Sequence, residues 1–140
     1  MARRKSVRFT KKVEAFVRLE RVCRVATSGA TGKPHVVPVC HAMSGDKLYI
    51  GSGKGCKVKN LAKNPQITVV VDAYSEAWSL LRGVMIQGRA KIVARGPGFR
   101  RGRDLLYRKY PHYRREAALS PSDSVIVEVT PARVFTWGFN

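Results

Sequence analysis

Acidic residues are scarce in this chain: nine Asp and Glu stand against 27 Lys and Arg, for a formal charge of +18 at pH 7. So lopsided a balance favours anionic partners, yet nucleic acid, an anionic lipid surface and a polyanionic small molecule all satisfy it. Cysteine is also sparse. Cys23, Cys40 and Cys56 lie 17 and 16 residues apart with no CxxC pair, which excludes a disulfide framework or zinc knuckle and leaves reduced thiols. Cys40 and Cys56 read as small buried residues. The three histidines, His35, His41 and His112, have no acidic or cysteine partner at ligand spacing, so no metal site is expected. Long hydrophobic runs are missing too: the longest is about six residues, against roughly 20 for a bilayer span. The basic N-terminus has no apolar segment of a signal peptide behind it. The reading is a soluble, cytoplasmic protein.

The 140 residues, 44% of them apolar, suffice for one packed core. Residues 1–8 carry four cations and read as a flexible basic arm; residues 9–140 read as one domain. Phe9, Val13, Phe16 and Val17 recur at helical spacing, predicting a helix over 10–20. Residues 22–28 alternate apolar with polar, two glycines sit in the loop 29–32, and PHVVPVCHAM follows as a second run, predicting a hairpin. Pro38 has no N–H to give, so its strand belongs at an edge or a bulge, where open backbone can approach a ligand. A strand at 47–52 leads through glycines 51, 53 and 55 to a helical octet ended by Pro65. Residues 66–73 are a β-branched strand, and 83–94 a long alternating one with Gly88 as a bend or bulge. Residues 97–118 show weak helical spacing. The closing segment holds two alternating runs broken at Thr130-Pro131. The sum is a mainly β fold, an antiparallel barrel of about six or seven strands with two or three helices.

The stretch GSGKGCKVKNL (residues 51–61) carries the clearest chemistry. Small residues let backbone N–H groups reach an anion, a helix N-terminus adds partial positive charge, and Lys54, Lys57 and Lys59 add full charges. It is not a Walker loop, which needs GxxxxGK[ST]. A competing surface is the Arg/Tyr-rich segment 100–115, where Tyr107, Tyr110 and Tyr113 interleave with arginines as a nucleic-acid-binding barrel without enzymatic activity would require. Their helical spacing suits packing equally well.

The order PHVVPV, KLYIGSGKG, KVKNLAKNPQITVVVD, RGVMIQGRAKIV, EVTPARVFTWGF resembles the FMN-binding split-barrel family related to pyridoxamine 5′-phosphate oxidase, over residues 22–139. VVDAYSEAWSLL is similar to a sub-branch of probable F420-dependent enzymes. The resemblance implies a flavin-type cofactor, FMN or F420, held at the interface of a homodimer. His35, Val36, Val37, Pro38, Val39 and Cys40 match the strand that runs along the cofactor ring. Lys57 matches the lysine of the family's Ser-Arg-Lys phosphate motif, with Gly55 and Cys56 where Ser and Arg are usual; Ser52, Lys54 and Lys59 are the replacements at hand, with Gly53 and Asn60 in the same stretch. Arg82, Gly83 and Gln87 match the strand that reaches the cofactor from the second subunit, and Trp137 the C-terminal aromatic. The family's Arg and His pair for pyridoxal phosphate is not visible, which disfavours vitamin B6 synthesis. No catalytic acid or base is implied, since the cofactor itself carries the hydride. A haem-binding split barrel is a weaker possibility, without a distinctive axial ligand.

Overall fold

The computed structural model describes residues 7–139; the basic arm expected over 1–8 lies almost wholly outside them. Seven strands form one antiparallel sheet: β1 (Cys23–Ser28), β2 (Pro34–Val39), β3 (Ala42–Ser44), β4 (Lys47–Gly53), β5 (Gln66–Ala73), β6 (Arg82–Val93) and β7 (Ser124–Trp137). Their order across the sheet is β2-β1-β5-β6-β7-β4-β3. The two edges, β2 and β3, are consecutive in the chain and joined only by Cys40 and His41. Three residue steps span at most about 11 Å, so the sheet has to curl until its edges approach. The result is the split half-barrel expected from the sequence, with the split where the chain steps from β2 to β3.

Alternating side chains fill the interior: Val25, Val69, Val84, Ile86, Ile50 and Val127 are completely buried. One end is closed by α1 (Lys11–Leu19), which buries Val13, Phe16 and Val17 and is capped by the Thr10 hydroxyl accepting from the Val13 N–H at 3.3 Å. At about 1.5–3 kcal/mol per fully buried aliphatic side chain, this interior outweighs exposed ion pairs such as Arg24–Asp72, each contributing about 0–1 kcal/mol. On the outside, α3 (Pro97–Lys109) lays Phe99 and Leu106 against Tyr49 and Ile126. Most of β4 and the first part of β7, Ser124 to Val129, are therefore buried on both faces.

Three details differ from the sequence reading. Pro131 does not break the closing segment, because the ladder absorbs it in a bulge: consecutive Gln87 and Gly88 of β6 face Arg133 and Pro131, which leaves Ala132 of β7 unpaired; a side chain at Gly88 would collide with the Thr130 carbonyl. The run at residues 34–43 is two strands, interrupted where the chain crosses the split. The helices number four, α2 being Cys56–Lys63 and α4 the single turn Tyr113–Glu116, with a further 3-10 turn at Trp78–Leu80. As expected of its proline, β2 is an edge strand. Among the described residues no helix is long and apolar enough to cross a membrane.

Candidate functional site

A cleft of about 770 Å³ opens at the split. One wall is Pro38 and Val39 of β2 with Cys40, the floor is Gly51 of β4, and the opposite wall is the Tyr110-Pro111 turn and Tyr113 of α4. Its lining is mainly apolar, with the exposed Arg21 and Glu116 as charged members. Volume and lining fall in the range of small-molecule sites.

The opposite wall is held by long-range polar contacts. The Tyr110 hydroxyl accepts from the His41 N–H at 3.0 Å and donates to the His41 carbonyl at 2.7 Å, with the Arg21 carbonyl at 2.8 Å. Lys109 Nζ donates to the Glu20 carbonyl at 2.7 Å. These bonds clamp the end of α3 to the α1–β1 connection and to the two residues that cross the split. His41 is completely buried, and its Nε2 lies 2.7 Å from the Val17 carbonyl. Burial, then the nearby Lys109 charge, hold the imidazole down at about 4 against that hydrogen bond. Burial and Arg21 likewise bring the Lys109 ammonium down to about 8.

The glycine-rich turn leaves β4 and enters α2, whose N-cap is Gly55 with no side-chain cap, so its first N–H groups have no side-chain acceptor there. Lys57 sits in that first turn, half-buried, with its pKa lowered by burial and in no ion pair among the described residues. Burial pushes the Cys23 thiol on β1 up to about 12 against the pull of Lys109, Arg24 and, most weakly, Lys57. A half-desolvated ammonium without a carboxylate, beside an uncapped helix N-terminus, fits an anionic group such as a cofactor phosphate.

The other sequence candidates divide. Pro38, Val39 and Cys40 line the cleft; His35, Val36 and Val37 lie further along β2, and the buried His35 Nδ1 has no hydrogen-bond partner. Ser52 is buried and spends its hydroxyl on the Gly53 carbonyl, while Lys54 reaches the Ser122 carbonyl at 3.3 Å. Lys59 is exposed. Asn60 donates to the Thr27 hydroxyl at 3.1 Å, tying α2 to β1. Arg82 stacks over Phe16 and Phe139 at 4.7 and 5.7 Å, Trp137 covers Gly83 across the β6–β7 pair, and Gln87 lines a separate groove of about 380 Å³ with Arg89 and Arg133. None of these four lines the cleft. Cys56, expected to be buried, is exposed because it opens α2 on its outer side; Cys40 is partly buried. Among the described residues no group of three or more His, Cys, Asp and Glu side chains is placed to hold a metal ion.

The sequence reading missed Arg21, Gly51, Lys109 and the cleft role of the tyrosines. The three rings pack on one another, Tyr107–Tyr113 at 5.9 Å and Tyr110–Tyr113 at 6.2 Å, and the Tyr107 hydroxyl accepts from the Leu119 N–H. Tyr110 and Tyr113 line the cleft and Tyr107 packs on Tyr113, so the three do not form an open stacking face. Their three-residue spacing was the only signal.

A curled antiparallel sheet, split where its edges meet, with an apolar cleft at the split and, at the following helix, a lysine without an ion pair among the described residues, defines a split-barrel protein with a candidate ligand cleft. Residues 9–138 match the family described as Pyridoxamine 5′-phosphate oxidase, and the chain belongs to that family. It is 30% identical over 136 residues to the 5a,11a-dehydrotetracycline/5a,11a-dehydrooxytetracycline reductase of Streptomyces rimosus, an alignment covering 93% of this chain and 83% of that one. Among solved structures, the fold is shared with the haem storage protein HutZ of Vibrio cholerae (TM-score 0.78, 14% identity, 92% of this chain and 94% of that one). It is also shared with a protein described as an F420 reductase (TM-score 0.72, 20% identity, 91% and 98%).

Proposed function

We propose that this protein is an oxidoreductase that binds FMN or F420 as a homodimer and reduces a small organic substrate. The observation that carries the reading is Lys57, a half-buried ammonium with no ion-pair partner among the described residues, set at the uncapped start of the helix that follows β4, whose Gly51 lines the cleft. Lys57 and the first N–H groups of α2 would hold the phosphate, and the backbone of Pro38 to Cys40 would border the ring. The bound group supplies a hydride. Arg82, Gly83, Gln87 and Trp137 would serve the partner subunit's cofactor, in keeping with their distance from the cleft lining of their own. The S. rimosus relative reduces dehydro compounds, which supports the reductive direction. The basic charge of the chain suits both FMN and the longer anionic tail of F420.

Titrating the purified protein with FMN, F420 and haemin, followed by absorbance and fluorescence, tests the reading. FMN or F420 binds at micromolar concentration or below and sediments with a dimer. Lys57→Ala weakens that binding by about 1.5–3 kcal/mol, the scale of a charge-assisted hydrogen bond, and Lys11→Ala, on the exposed face of α1, leaves it unchanged. Equal losses from both substitutions, or a monomer that binds neither cofactor, would overturn the assignment.

A further inference from the structure

Tyr107, outside the cleft lining, accepts from the Leu119 N–H; of the two tyrosines that line the cleft, Tyr110 donates its O–H to backbone carbonyls, whereas the Tyr113 hydroxyl has no hydrogen-bond partner among the described residues. It is also placed with care. A Cβ on Gly51 would stand 2.6 Å from the Tyr113 hydroxyl and 2.9 Å from Leu119, so the absence of a side chain at the cleft floor is what lets this hydroxyl lie there. Gly51 and Tyr113 both line the cleft. The ring is fixed by its contacts with Tyr107 and Tyr110, and burial pushes the phenol up to about 12, so it is protonated at neutral pH. One pre-positioned O–H donor therefore sits in an otherwise mainly apolar space.

The walls restrict the shape of what enters. Pro38 and Pro111 are rigid rings, Tyr110 and Tyr113 present aromatic surface, and Val39 belongs to an extended strand. Such walls bury a flat ring system well, and a single interior donor selects one acceptor oxygen on it. We propose that the side of the cleft formed by Tyr110, Pro111 and Tyr113, across from the β2 backbone that would border the cofactor ring, is the substrate subsite for flat, conjugated ketones, with Tyr113 donating a hydrogen bond to the ketone oxygen. The proposal rests on the reductase reading above for its chemistry but not for its binding. When a hydride from the reduced flavin-type cofactor adds to the far carbon of the conjugated C=C bond, the π pair shifts toward the carbonyl and leaves an enolate oxygen. That carries both electrons to the substrate and oxidises the cofactor. Water then protonates the near carbon, and Tyr113 keeps its own proton throughout. Charge grows on the oxygen during the step, so the Tyr113 hydrogen bond strengthens as the barrier is climbed.

Xanthone and xanthene test this: they share a flat three-ring frame, and only xanthone carries the ketone. Binding of each to the full-length protein is measured without added cofactor, together with the infrared carbonyl stretch of bound xanthone. Xanthone binds more tightly than xanthene, and its carbonyl stretch falls below that in an apolar solvent. Tyr113→Phe weakens xanthone binding about tenfold, the upper scale of one neutral hydrogen bond, abolishes the infrared shift and leaves xanthene binding unchanged. Gly51→Ala, whose methyl displaces the hydroxyl, has the same selective effect. Xanthone and xanthene binding alike to the unsubstituted protein, or an infrared shift retained in Tyr113→Phe, would overturn the proposal. Parallel FMN and F420 titrations separate the two readings. Cofactor binding without ketone selectivity defeats the subsite alone, whereas ketone selectivity that depends on Tyr113 upholds the subsite even where neither cofactor binds.

Discussion

Acidification should destabilise this protein through a single imidazole. His41 is completely buried between β2 and β3; its Nε2 lies 2.7 Å from the Val17 carbonyl, which makes Nε2 the protonated nitrogen, and its Nδ1 meets no partner. A second proton would therefore sit on Nδ1 with no acceptor, and the resulting charge would face the Lys109 ammonium, 3.5 Å from Nε2. The folded-state pKa is about 4 against 6.5 for the free group. Because the folded value is the lower one, the unfolded chain binds the extra proton first, and stability falls as the pH drops from about 6.5 to about 4. The difference of about 2.5 units, at about 1.4 kcal/mol per unit, amounts to about 3 kcal/mol when fully developed. That is a large share of the roughly 5–15 kcal/mol that holds a domain of this size together. Urea unfolding of the protein and of His41→Gln, which keeps a donor near the Nε2 position, would be followed between about pH 7 and pH 4. The unsubstituted protein loses stability more steeply, and the difference between the two slopes isolates His41 from the carboxylates. Parallel slopes, or the His41 imidazole resonance, assigned by its loss in His41→Gln, titrating near 6.5 in the folded protein, would refute the reasoning.

Two further outcomes follow from packing. Under native conditions iodoacetamide modifies the exposed Cys56 well before Cys23, which is fully buried with its thiol pushed up to about 12; mass spectrometry showing equal rates would contradict the packing of β1. Gly88→Ala destabilises by about 1–3 kcal/mol, because its methyl meets the unyielding Thr130 carbonyl. Gly53→Ala, with open space around it, changes thermal stability by at most about 0.5 kcal/mol.

How much of this was legible in the sequence depended on how local the cause was. The strands at residues 66–73 and 83–94 declared themselves through alternation, and α1 through its apolar face, because each buries one side against a single layer. The interruption at Cys40 and His41 was invisible: His41 lies in an apolar-rich run, and only the closure of the barrel turns that point into a crossing between edges. Pro131 looked like a break because its missing N–H forbids a regular ladder, yet Gly88 on the neighbouring strand accommodates it. The helix α3 gave a weak signal because arginines crowd it and two glycines, Gly98 and Gly102, lie within it. Gly102 nevertheless serves packing, since a Cβ there would press to 2.6 Å from Ile126.

The same distinction explains the site. The lysine-bearing turn is contiguous, and its chemistry can be read from eleven successive residues. The cleft is not contiguous: Lys109 and Tyr110 reach across 89 positions to Glu20 and Arg21, and Tyr110 across 69 to His41. Those contacts anchor the wall beyond α3 and leave Tyr113 facing Gly51, so the hydroxyl available to a ligand follows from two neighbouring hydroxyls being engaged elsewhere. A tyrosine at every third position announces a helix face that packs. Which of the two cleft tyrosines has a donor to spare is decided by where the carbonyls of Arg21 and His41 come to rest beside Tyr110, and that is a property of the closed barrel.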